Sequence, residues 1–533
     1  MKRWNGWGNT QTHYPLPESA EDYLRLRLGS LPSLQDAELQ TILNTVPQSS
    51  LPDHPLIQVD PEIRLRHSRG QSLPDWVALN YGRIAAFPDG VAFPENEDQV
   101  AGLLEFARGS GAHVIPFGGG SSVVGHINPR SQDKPTITLS LEKMDQLLDI
   151  DRTSKLAEFQ AGVAGPALER QLAAQGFILG HFPQSFEYST LGGWIATRSS
   201  GQQSIYYGRI EDLFAGGQVA TPEGFLELPV YPASAAGPDL RQLVLGSEGR
   251  LGVITKATVR IRELPQQEGF YGVFFPSWED GCRAVRHIAQ SGIPVSMLRL
   301  SNPQETETTL ILSGKSWIDL ADRGLRLIGM GGERCLLIFG ATGRSAQVTS
   351  VRRQTAQICR SHGGLQVGSI VGHTWEKSRF ISPYLRNTLW VKGIAVDTLE
   401  TALPWSQVKE ASQAIPESIT HAAHNYQEQV LVMTHLSHIY PDGASIYTTY
   451  LFRRDADPDR LLEVWDAMKD AASQQIQAMG GTISHQHGVG LDHKRYLPAE
   501  KGPLGILAIR NSMETFDPDR ILNPGKLYDD QED

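Results

Sequence analysis

The sequence predicts an α+β protein that is divided into two main domains. Its 533 residues are enough for about three units of roughly 100–200 residues each. Apolar residues repeat with period two in some segments and with period 3.6 in others, which predicts strands and helices in alternation. A Pro265-Gln266-Gln267 stretch separates two regions with this pattern. We therefore predict a domain boundary near residue 265.

The amino-acid composition argues against several classes of protein. The 48 Lys and Arg residues and 59 Asp and Glu residues give a formal net charge of −11. A nucleic-acid-binding protein would carry a basic stripe that offsets phosphate charge, so the acidic balance argues against that class. The cysteines are Cys282, Cys335 and Cys359, an odd number at wide spacing that predicts neither a disulfide framework nor a Cys-based metal site. No apolar run has the length of a membrane span or the form of a signal peptide, and we expect a cytoplasmic location.

The first region begins with short predicted helices at Glu18–Leu28 and Leu34–Leu43. A short strand at Val91–Phe93 is followed by Pro94-Glu95-Asn96, which is a helix-start signal. The next helix presents one apolar face and ends at Gly109 and Gly111; that face holds Val100, Leu103, Leu104 and Ala107. A strand at His113–Phe117 completes a predicted βαβ unit.

Further elements follow on both sides of the linker. Before it, a strand covers Leu156–Gly162, and a helix that starts at Pro166 ends at Gly176. After it come strands at Phe270–Phe275, Cys335–Phe339 and Ile446–Phe452, with helices at Asp280–Ser291, Ala346–His362 and Pro458–Met479. A final helix is predicted at Leu504–Phe516.

Three clusters combine glycine with hydroxyl residues. They are Pro116-Phe117-Gly118-Gly119-Gly120-Ser121-Ser122, the segment from Ser185 to Gly201, and the segment from Gly246 to Thr255. Successive glycines let backbone N–H groups converge on an anion such as a phosphate. The first cluster is neither a GxGxxG fingerprint nor a P-loop. Alone it also fits a tight surface turn, but three such segments within about 140 residues are hard to explain as independent turns.

Together these clusters resemble the vanillyl-alcohol-oxidase-type, or PCMH-type, family of FAD-binding oxidoreductases. The resemblance implies that the first loop holds the pyrophosphate, the second segment flanks the isoalloxazine and the third completes the adenine and ribose side. It implies domains at 1–85 (helices and loops), 86–265 (PCMH-type FAD-binding domain), 266–480 (an α/β cap with an antiparallel sheet covered by helices) and 481–533 (a C-terminal helical segment that packs back on the FAD site). The FAD is expected to be non-covalent, because no His lies within Gly118–Ser122.

The cofactor-binding residues that the resemblance implies fall in the three clusters. They are Pro116, Phe117, Gly118, Gly119, Gly120, Ser121 and Ser122; Gln184, Ser185, Phe186, Glu187, Tyr188, Ser189, Thr190, Thr197, Arg198, Ser199 and Ser200; and Gly246, Ser247, Glu248, Gly249, Arg250, Leu251 and Gly252.

Within that family, the whole chain resembles the alkyldihydroxyacetonephosphate synthases. The segments that carry this likeness are Trp4–Gly8, Arg69–Leu73, Gly208–Leu213 and Ser484–Gly490. The resemblance implies that the acyl group of acyl-dihydroxyacetone phosphate is exchanged for a long-chain alkoxy group through an adduct at flavin N5. It implies catalytic roles for Arg386 (substrate phosphate), Tyr447 (general acid), Thr398, Arg299, His485 and His487. From the residues alone, His485 and His487 could bind an anion, shuttle protons or supply two metal ligands, and no metal site is predicted.

Two positions depart from the family pattern. The synthases carry three consecutive histidines, and the middle one is Gln486 here, which cannot transfer a proton at ordinary pH. Gln184 stands where the family has an acidic residue beside the flavin. On an extended segment, His485 and His487 would point to one face and Gln486 away from it.

Two alternatives remain open at this stage. One is an FAD-linked oxidase or dehydrogenase of a 2-hydroxy acid, of the D-lactate and glycolate type, whose ending resembles Phe516–Pro518 and Leu522–Leu527. Those enzymes carry a His-rich metal segment, and this chain has Gly443–Tyr450 in its place. The other is a non-catalytic flavin-binding protein. The expected partner is a small-molecule or lipid substrate with an anionic group, and a peripheral membrane contact and a homodimer are compatible with it.

Overall fold

The computed structural model describes residues 2–130, 134–312, 324–327 and 329–530. Up to residue 265 the helices are α1 (Glu18–Leu28), α2 (Leu39–Leu43), α3 (Pro61–Arg66), α4 (Leu73–Asn80), α5 (Glu97–Ser110), α6 (Gly165–Ala173), α7 (Leu191–Thr197), α8 (Ser204–Tyr207), α9 (Ile210–Leu213) and α10 (Arg241–Val244). The strands of this part are β1 (Ile57–Gln58), β2 (Gly90–Ala92), β3 (His113–Phe117), β4 (Thr136–Ser140), β5 (Leu147–Asp151), β6 (Leu156–Gln160), β7 (Phe177–Ile178), β8 (Phe214–Thr221), β9 (Gly224–Leu228), β10 (Val253–Arg260) and β11 (Arg262–Glu263).

After residue 265 strands and helices continue to alternate. The strands are β12 (Gln267–Phe275), β13 (Met297–Ser301), β14 (Cys335–Gly343), β15 (Leu365–Gln366), β16 (Ile394–Pro404), β17 (Val430–Ile439) and β18 (Gly443–Arg453). The helices are α11 (Trp278–Gln290), α12 (Pro303–Leu312), α13 (Ser345–Ser361), α14 (Ile370–Ser378), α15 (Ser382–Val391), α16 (Trp405–Asn425), α17 (Pro458–Ala478) and α18 (Leu497–Phe516).

Two main sheets build the part before residue 265. One is four-stranded with the order β1-β2-β4-β3, and the other is five-stranded with the order β5-β6-β10-β8-β9. The predicted βαβ unit is confirmed, since β2 and β3 both run parallel to β4, which lies between them. The predicted apolar face of α5 is buried, and Gly111 ends that helix in the left-handed conformation. This places the first glycine cluster directly after β3, at a sheet edge.

A seven-stranded sheet builds the part after residue 265, with the order β15-β12-β14-β13-β17-β18-β16. All its strand pairs are antiparallel. Helices α11, α13, α16 and α17 cover one face and bury its apolar side chains with their own. The opposite face at β13, β17, β18 and β16 is therefore free to line a cavity.

One helix prediction needs correction. The helix predicted at Leu34–Leu43 begins only at Leu39, because tertiary hydrogen bonds hold the preceding residues outside a helix. Asp36 accepts from the Trp390 indole, and the Ala37 N–H donates to the Asn80 carbonyl. The C-terminal helix predicted at Leu504–Phe516 agrees with the structure: Gly502, whose φ is +68°, interrupts the element Leu497–Phe516 and separates a short first turn from that helix.

The two ends of the described chain return to the first glycine cluster. Near the N-terminus, Lys2 pairs with Asn9, and the Lys2 ammonium donates to the Gly119 carbonyl. Near the C-terminus, Leu522 bridges to Val114 on β3. Among the described helices, none is long and apolar enough to span a membrane.

Candidate active site

A cavity of about 430 Å³ lies between the three glycine clusters and the open face of the seven-stranded sheet. Its lining includes side chains from both large regions, and Trp7 near the N-terminus and Asn523 near the C-terminus also contribute. Because ligand sites tend to form where domains meet, this cavity is the candidate active site.

The first glycine cluster forms one wall of the cavity, and Pro116 through Ser122 all contribute to the lining. A side chain at Gly118 would collide with Thr190, and one at Gly119 would collide with the Tyr188 carbonyl oxygen. Within the described ranges, the backbone N–H groups of residues 118–122 donate no hydrogen bond to the protein. The loop therefore presents free N–H donors at a place that only glycine can occupy, which fits a pyrophosphate.

Some residues of the second cluster line the cavity, and the others contact the surrounding protein. Its residues Gln184, Ser185, Ser189, Thr190, Thr197, Ser199 and Ser200 line the cavity. The remaining predicted residues lie outside the lining. Phe186 stacks on Phe380, Glu187 accepts from the Tyr384 hydroxyl, Tyr188 packs against Trp7, and Arg198 donates to Gln242.

The third cluster contributes Glu248, Gly249 and Gly252 to the lining. Gly246, Ser247, Arg250 and Leu251 lie behind it, where Arg250 forms an ion pair with Asp530. His126, which is near the first cluster, is fixed between the Ser122 hydroxyl at 2.8 Å and the Glu248 carboxylate at 3.1 Å. Nδ1 of His126 thus shares a hydrogen bond with Ser122, while Nε2 lies near Glu248 without forming a hydrogen bond.

Side chains alternate between the two faces of the seven-stranded sheet, and this alternation decides which catalytic candidates face the cavity. On β18, Tyr447, Thr449 and Leu451 line the cavity, while Ile446, Tyr450 and Phe452 face the helices. Arg299 on β13 and Thr398 on β16 also line the cavity. The structure thus brings together three of the residues that the sequence proposes, since alternate side chains of adjacent strands share one face.

Tyr447 is buried at the centre of an aromatic cluster. Its ring stacks on His435 with 4.9 Å between centroids and an angle of 16°. The His487 ring meets it edge-on at 5.6 Å. Burial raises the pKa of Tyr447, although a hydrogen bond with the Thr398 side chain acts in the opposite direction. The phenol therefore keeps its proton near neutral pH and is available as a proton donor.

Arg386 on α15 reaches the cavity from the side of the N-terminal region. Its guanidinium lies over the Trp76 ring, 4.4 Å from the centroid, and Nη1 donates to the Gln71 carbonyl. The Nε and Nη2 atoms are buried without a hydrogen-bond partner. Burial lowers the pKa of Arg386 to about 10, so the group is still a cation at neutral pH. A buried cation with free donors fits a bound anion.

The prediction that His485 and His487 share one face is wrong, because residues 483–488 bend and are not extended. Gln486 and His487 line the cavity. His485 points the other way, where Nε2 lies 2.7 Å from both the Arg209 guanidinium and the Tyr440 hydroxyl. The structure therefore leaves His487 as the histidine of this segment that lines the cavity.

Two buried carboxylates hold the same segment: Glu248, which the sequence analysis names as a cofactor-binding residue, and Glu400, which sequence reasoning missed. Glu400 on β16 accepts from the N–H groups of Gln486 at 2.6 Å and His487 at 2.8 Å. Glu248 accepts from the N–H groups of Val489 and Gly490. These bonds fix the segment between the two halves of the site. Period-two alternation on β16 could have indicated Glu400, which lies opposite Tyr447 in the sheet register.

Glu305 and His435 were also missed. The Glu305 carboxylate accepts from Arg299 at 2.5 Å and lies 2.9 Å from His435 Nδ1. His435 lies one strand away from Tyr447 in direct register. The sequence signal was the apolar alternation of Val430–Ile439, which predicts a strand with His435 on the same face as Met433.

The residues present fit an FAD. The first cluster supplies free N–H donors for a pyrophosphate, and the wall continues into hydroxyl residues of the second cluster. Buried polar atoms without a protein partner adjoin the cavity at Gln486 Oε1 and Asn523 Oδ1. Such atoms are costly unless a ligand or water satisfies them. Among the described residues, no group of three or more His, Cys, Asp or Glu side chains could hold a metal ion.

Comparison with known proteins identifies the family of the chain. Residues 88–227 match a family model described as an FAD binding domain, and residues 264–527 match one described as the C-terminal domain of FAD linked oxidases. The alkyldihydroxyacetonephosphate synthase of Dictyostelium discoideum is 30% identical over 98% of this chain and 93% of its own length. That of Caenorhabditis elegans is 29% identical over 99% of this chain and 95% of its own.

A solved structure of an alkyldihydroxyacetonephosphate synthase superposes with a TM-score of 0.84 at 28% identity, over 99% of each chain. The predicted PCMH-type fold and the FAD cofactor are thereby confirmed. This chain belongs to the alkyldihydroxyacetonephosphate synthase family of FAD-dependent enzymes.

Proposed function

We propose that this chain exchanges the acyl group of an acyl-dihydroxyacetone phosphate for a long-chain alkoxy group. One observation carries the proposal: the Arg386 guanidinium, with buried and unpartnered donors, opens into the same cavity as Tyr447 and the FAD loop. The names of the relatives support this reaction class. In the exchange, the C1–O bond to the acyl group breaks, a C1–O bond to the alcohol forms, and the alcohol loses its proton.

Arg386 is proposed to bind the substrate phosphate. Its planar fork presents Nε and Nη2 in the geometry that matches two phosphate oxygens. The third nitrogen, Nη1, donates to the Gln71 carbonyl, and the guanidinium lies over the Trp76 ring. These two contacts hold the group in place. The phosphate would thereby fix the substrate with its C1 end toward the aromatic cluster.

Tyr447, Thr398 and His487 are proposed to handle protons beside C1. When bound, FAD supplies the reactive ring at which the C1 substituent is exchanged. The Tyr447 hydroxyl donates a proton to the leaving group or to the ketone oxygen, and Thr398 orients it. Burial lowers the pKa of His487, so this ring is neutral and can accept a proton. Gln486 orients by hydrogen bonding without titrating.

A cytoplasmic location, a peripheral membrane contact and a homodimer stay predictions from the sequence. The apolar side chains of Leu312, Leu389, Met433 and Leu451 in the cavity lining suit a long alkyl chain. The synthase reaction would draw such a chain from a membrane surface.

The direct test is an exchange assay on the purified flavoprotein. With palmitoyl-dihydroxyacetone phosphate and deuterated hexadecanol, we expect deuterated alkyl product and an equal amount of palmitate, while the flavin spectrum returns to the oxidised form. Mass spectrometry measures both products. Lasting flavin bleaching by D-lactate or glycolate under anaerobic conditions, without exchange, would instead establish the hydroxy-acid dehydrogenase alternative. No response to either substrate set would favour a binding-only protein.

A further inference from the structure

The two arginines that line the cavity have different electrostatic surroundings. Arg299 Nη2 donates to Glu305 Oε1 at 2.5 Å, and the Glu305 side chain is only 9% exposed. Arg386 forms no ion pair with any described residue, and two of its nitrogens are buried without partners. Among the described residues, the cavity therefore contains one guanidinium with an ion-pair partner and one without.

Glu305 also contacts His435, so three side chains form one group. Its Oε2 lies 2.9 Å from His435 Nδ1, and Arg299 Nη2 lies 3.3 Å from the same nitrogen. Burial raises the pKa of Glu305, but His435 and Arg299 outweigh this and hold it at about 2. Burial and the Arg299 charge lower the pKa of His435. The trio of Arg299, Glu305 and His435 is thus neutral in sum.

The trio adjoins the apolar part of the lining. Met433 lies two residues before His435 on β17, on the same strand face, and Leu312 lies seven residues after Glu305 on α12, on the same helix face. Both Met433 and Leu312 line the cavity. A fatty acyl or alkyl chain bound along these apolar residues would place its polar end near the trio.

We propose that Glu305 is a specificity-determining residue that lets a fatty acid leave and a fatty alcohol enter by the same apolar path. The inference rests on the proposed function, in which the departing group is a carboxylate and the incoming group is a neutral alcohol. An uncompensated guanidinium in a water-poor cavity would retain the carboxylate strongly. With Glu305 present, the trio has no net charge that would attract a carboxylate. It can still form hydrogen bonds with the hydroxyl group of an alcohol.

The test is Glu305→Gln in the FAD-loaded protein, because glutamine keeps the shape and removes the charge. Displacement of a fluorescent fatty acid by palmitate measures equilibrium affinity without turnover. We expect palmitate to bind at least about tenfold more tightly, since about 1.4 kcal/mol of added attraction suffices. Hexadecanol, measured by the same displacement, should change by less than about threefold. Unchanged or weaker palmitate binding in the folded variant would overturn the proposal.

The chain offers a matched control on the same helix. Glu307 pairs with Arg27 at the surface, where both side chains are more than one third exposed, and Glu307→Gln should leave palmitate affinity unchanged. A palmitate gain in Glu307→Gln equal to that in Glu305→Gln would also count against the proposal.

A second variant keeps the test decisive if Glu305→Gln fails to fold. In the double variant Glu305→Gln with Arg299→Gln, the three side chains of the trio again have no net charge. Palmitate affinity should therefore stay within about threefold of the wild-type value. A loss of tenfold or more would mean that Arg299 itself is the carboxylate receptor and would overturn the proposal. Because displacement needs no turnover, this result is independent of whether the exchange reaction occurs.

Discussion

At the residue scale, Tyr447 has the surroundings of a proton donor. The ring is fixed between His435 and His487, and the raised pKa keeps the proton on the oxygen. Tyr450, three residues on, has a comparable side chain in a different place, because it faces the core and donates to Asp397. The roles of these two tyrosines therefore follow from the face of β18 on which they lie.

Tyr447→Phe should lower the exchange rate by about a hundredfold or more, which is the usual contribution of a positioned general acid. The FAD content, measured from the flavin absorbance, should stay at the wild-type level, because the ring is retained. Tyr426→Phe is the control, since the Tyr426 hydroxyl contacts Glu463 at the protein surface. Full activity in Tyr447→Phe would remove the phenol from the mechanism.

Arg386 is the proposed ligand of the substrate phosphate, because its buried Nε and Nη2 have no hydrogen-bond partner. Arg386→Lys keeps the charge but loses the planar fork and the contact with Trp76. We expect KM for the phosphate-bearing substrate to rise about tenfold to a hundredfold, in line with the loss of one charge-assisted hydrogen bond, with a smaller change in kcat. Steady-state kinetics with acyl-dihydroxyacetone phosphate measure this. An unchanged KM would assign the phosphate to another group.

At the element scale, the loop after β3 is the proposed binding site for the FAD pyrophosphate. Its glycines are required by close approach: a side chain at Gly119 has no room against the Tyr188 carbonyl. The strand before it is almost entirely buried, and Ser189 and Thr190 beside the contact with Tyr188 are buried as well, which leaves little room for either segment to shift.

Gly119→Ala should therefore yield protein with less than about a tenth of the wild-type FAD, judged by the ratio of absorbance at 450 and 280 nm, since backbone overlap of this kind costs several kcal/mol. Gly109→Ala is the matched control. Gly109 lies in α5 with nothing near its Cβ position, and alanine there should retain FAD and stabilise the helix by about 0.5–1 kcal/mol. Normal FAD content in Gly119→Ala would show that the close packing of the loop against the Tyr188 carbonyl is not required for FAD binding.

At the scale of the whole molecule, the active site is assembled from parts that are far apart in sequence. Trp7, the glycine clusters, the cap strands and the segment at 486–490 meet around one cavity. The carboxylates of Glu248 and Glu400 join the last segment to the two halves of the molecule. Asn387, next to Arg386, exchanges two hydrogen bonds with the Trp7 backbone. The N-terminal segment thus fixes the helix that carries the proposed phosphate ligand.

Much of the fold was predictable because local patterns are strong where elements are regular. The apolar face of α5, the strand at His113–Phe117 and the helix at Pro458–Met479 all agree with the structure within a few residues. Prediction was wrong for residues 34–38, where hydrogen bonds to residues 80 and 390 outweigh helix formation. Propensity gives way to tertiary contacts in such segments.

The sequence by itself determined the glycine clusters, the separation into an FAD-binding part and a cap, and the candidates Arg386, Tyr447 and His487, because these depend on local pattern and on family resemblance. Only the tertiary structure decided that His485 points away from the cavity and that Glu305 neutralises Arg299. It also showed that Glu400 holds the segment before Gly488. The physical reason is that these three facts depend on contacts between residues that lie on different elements. Neither the periodicity nor the composition of a sequence shows which distant side chain a buried charged group will contact.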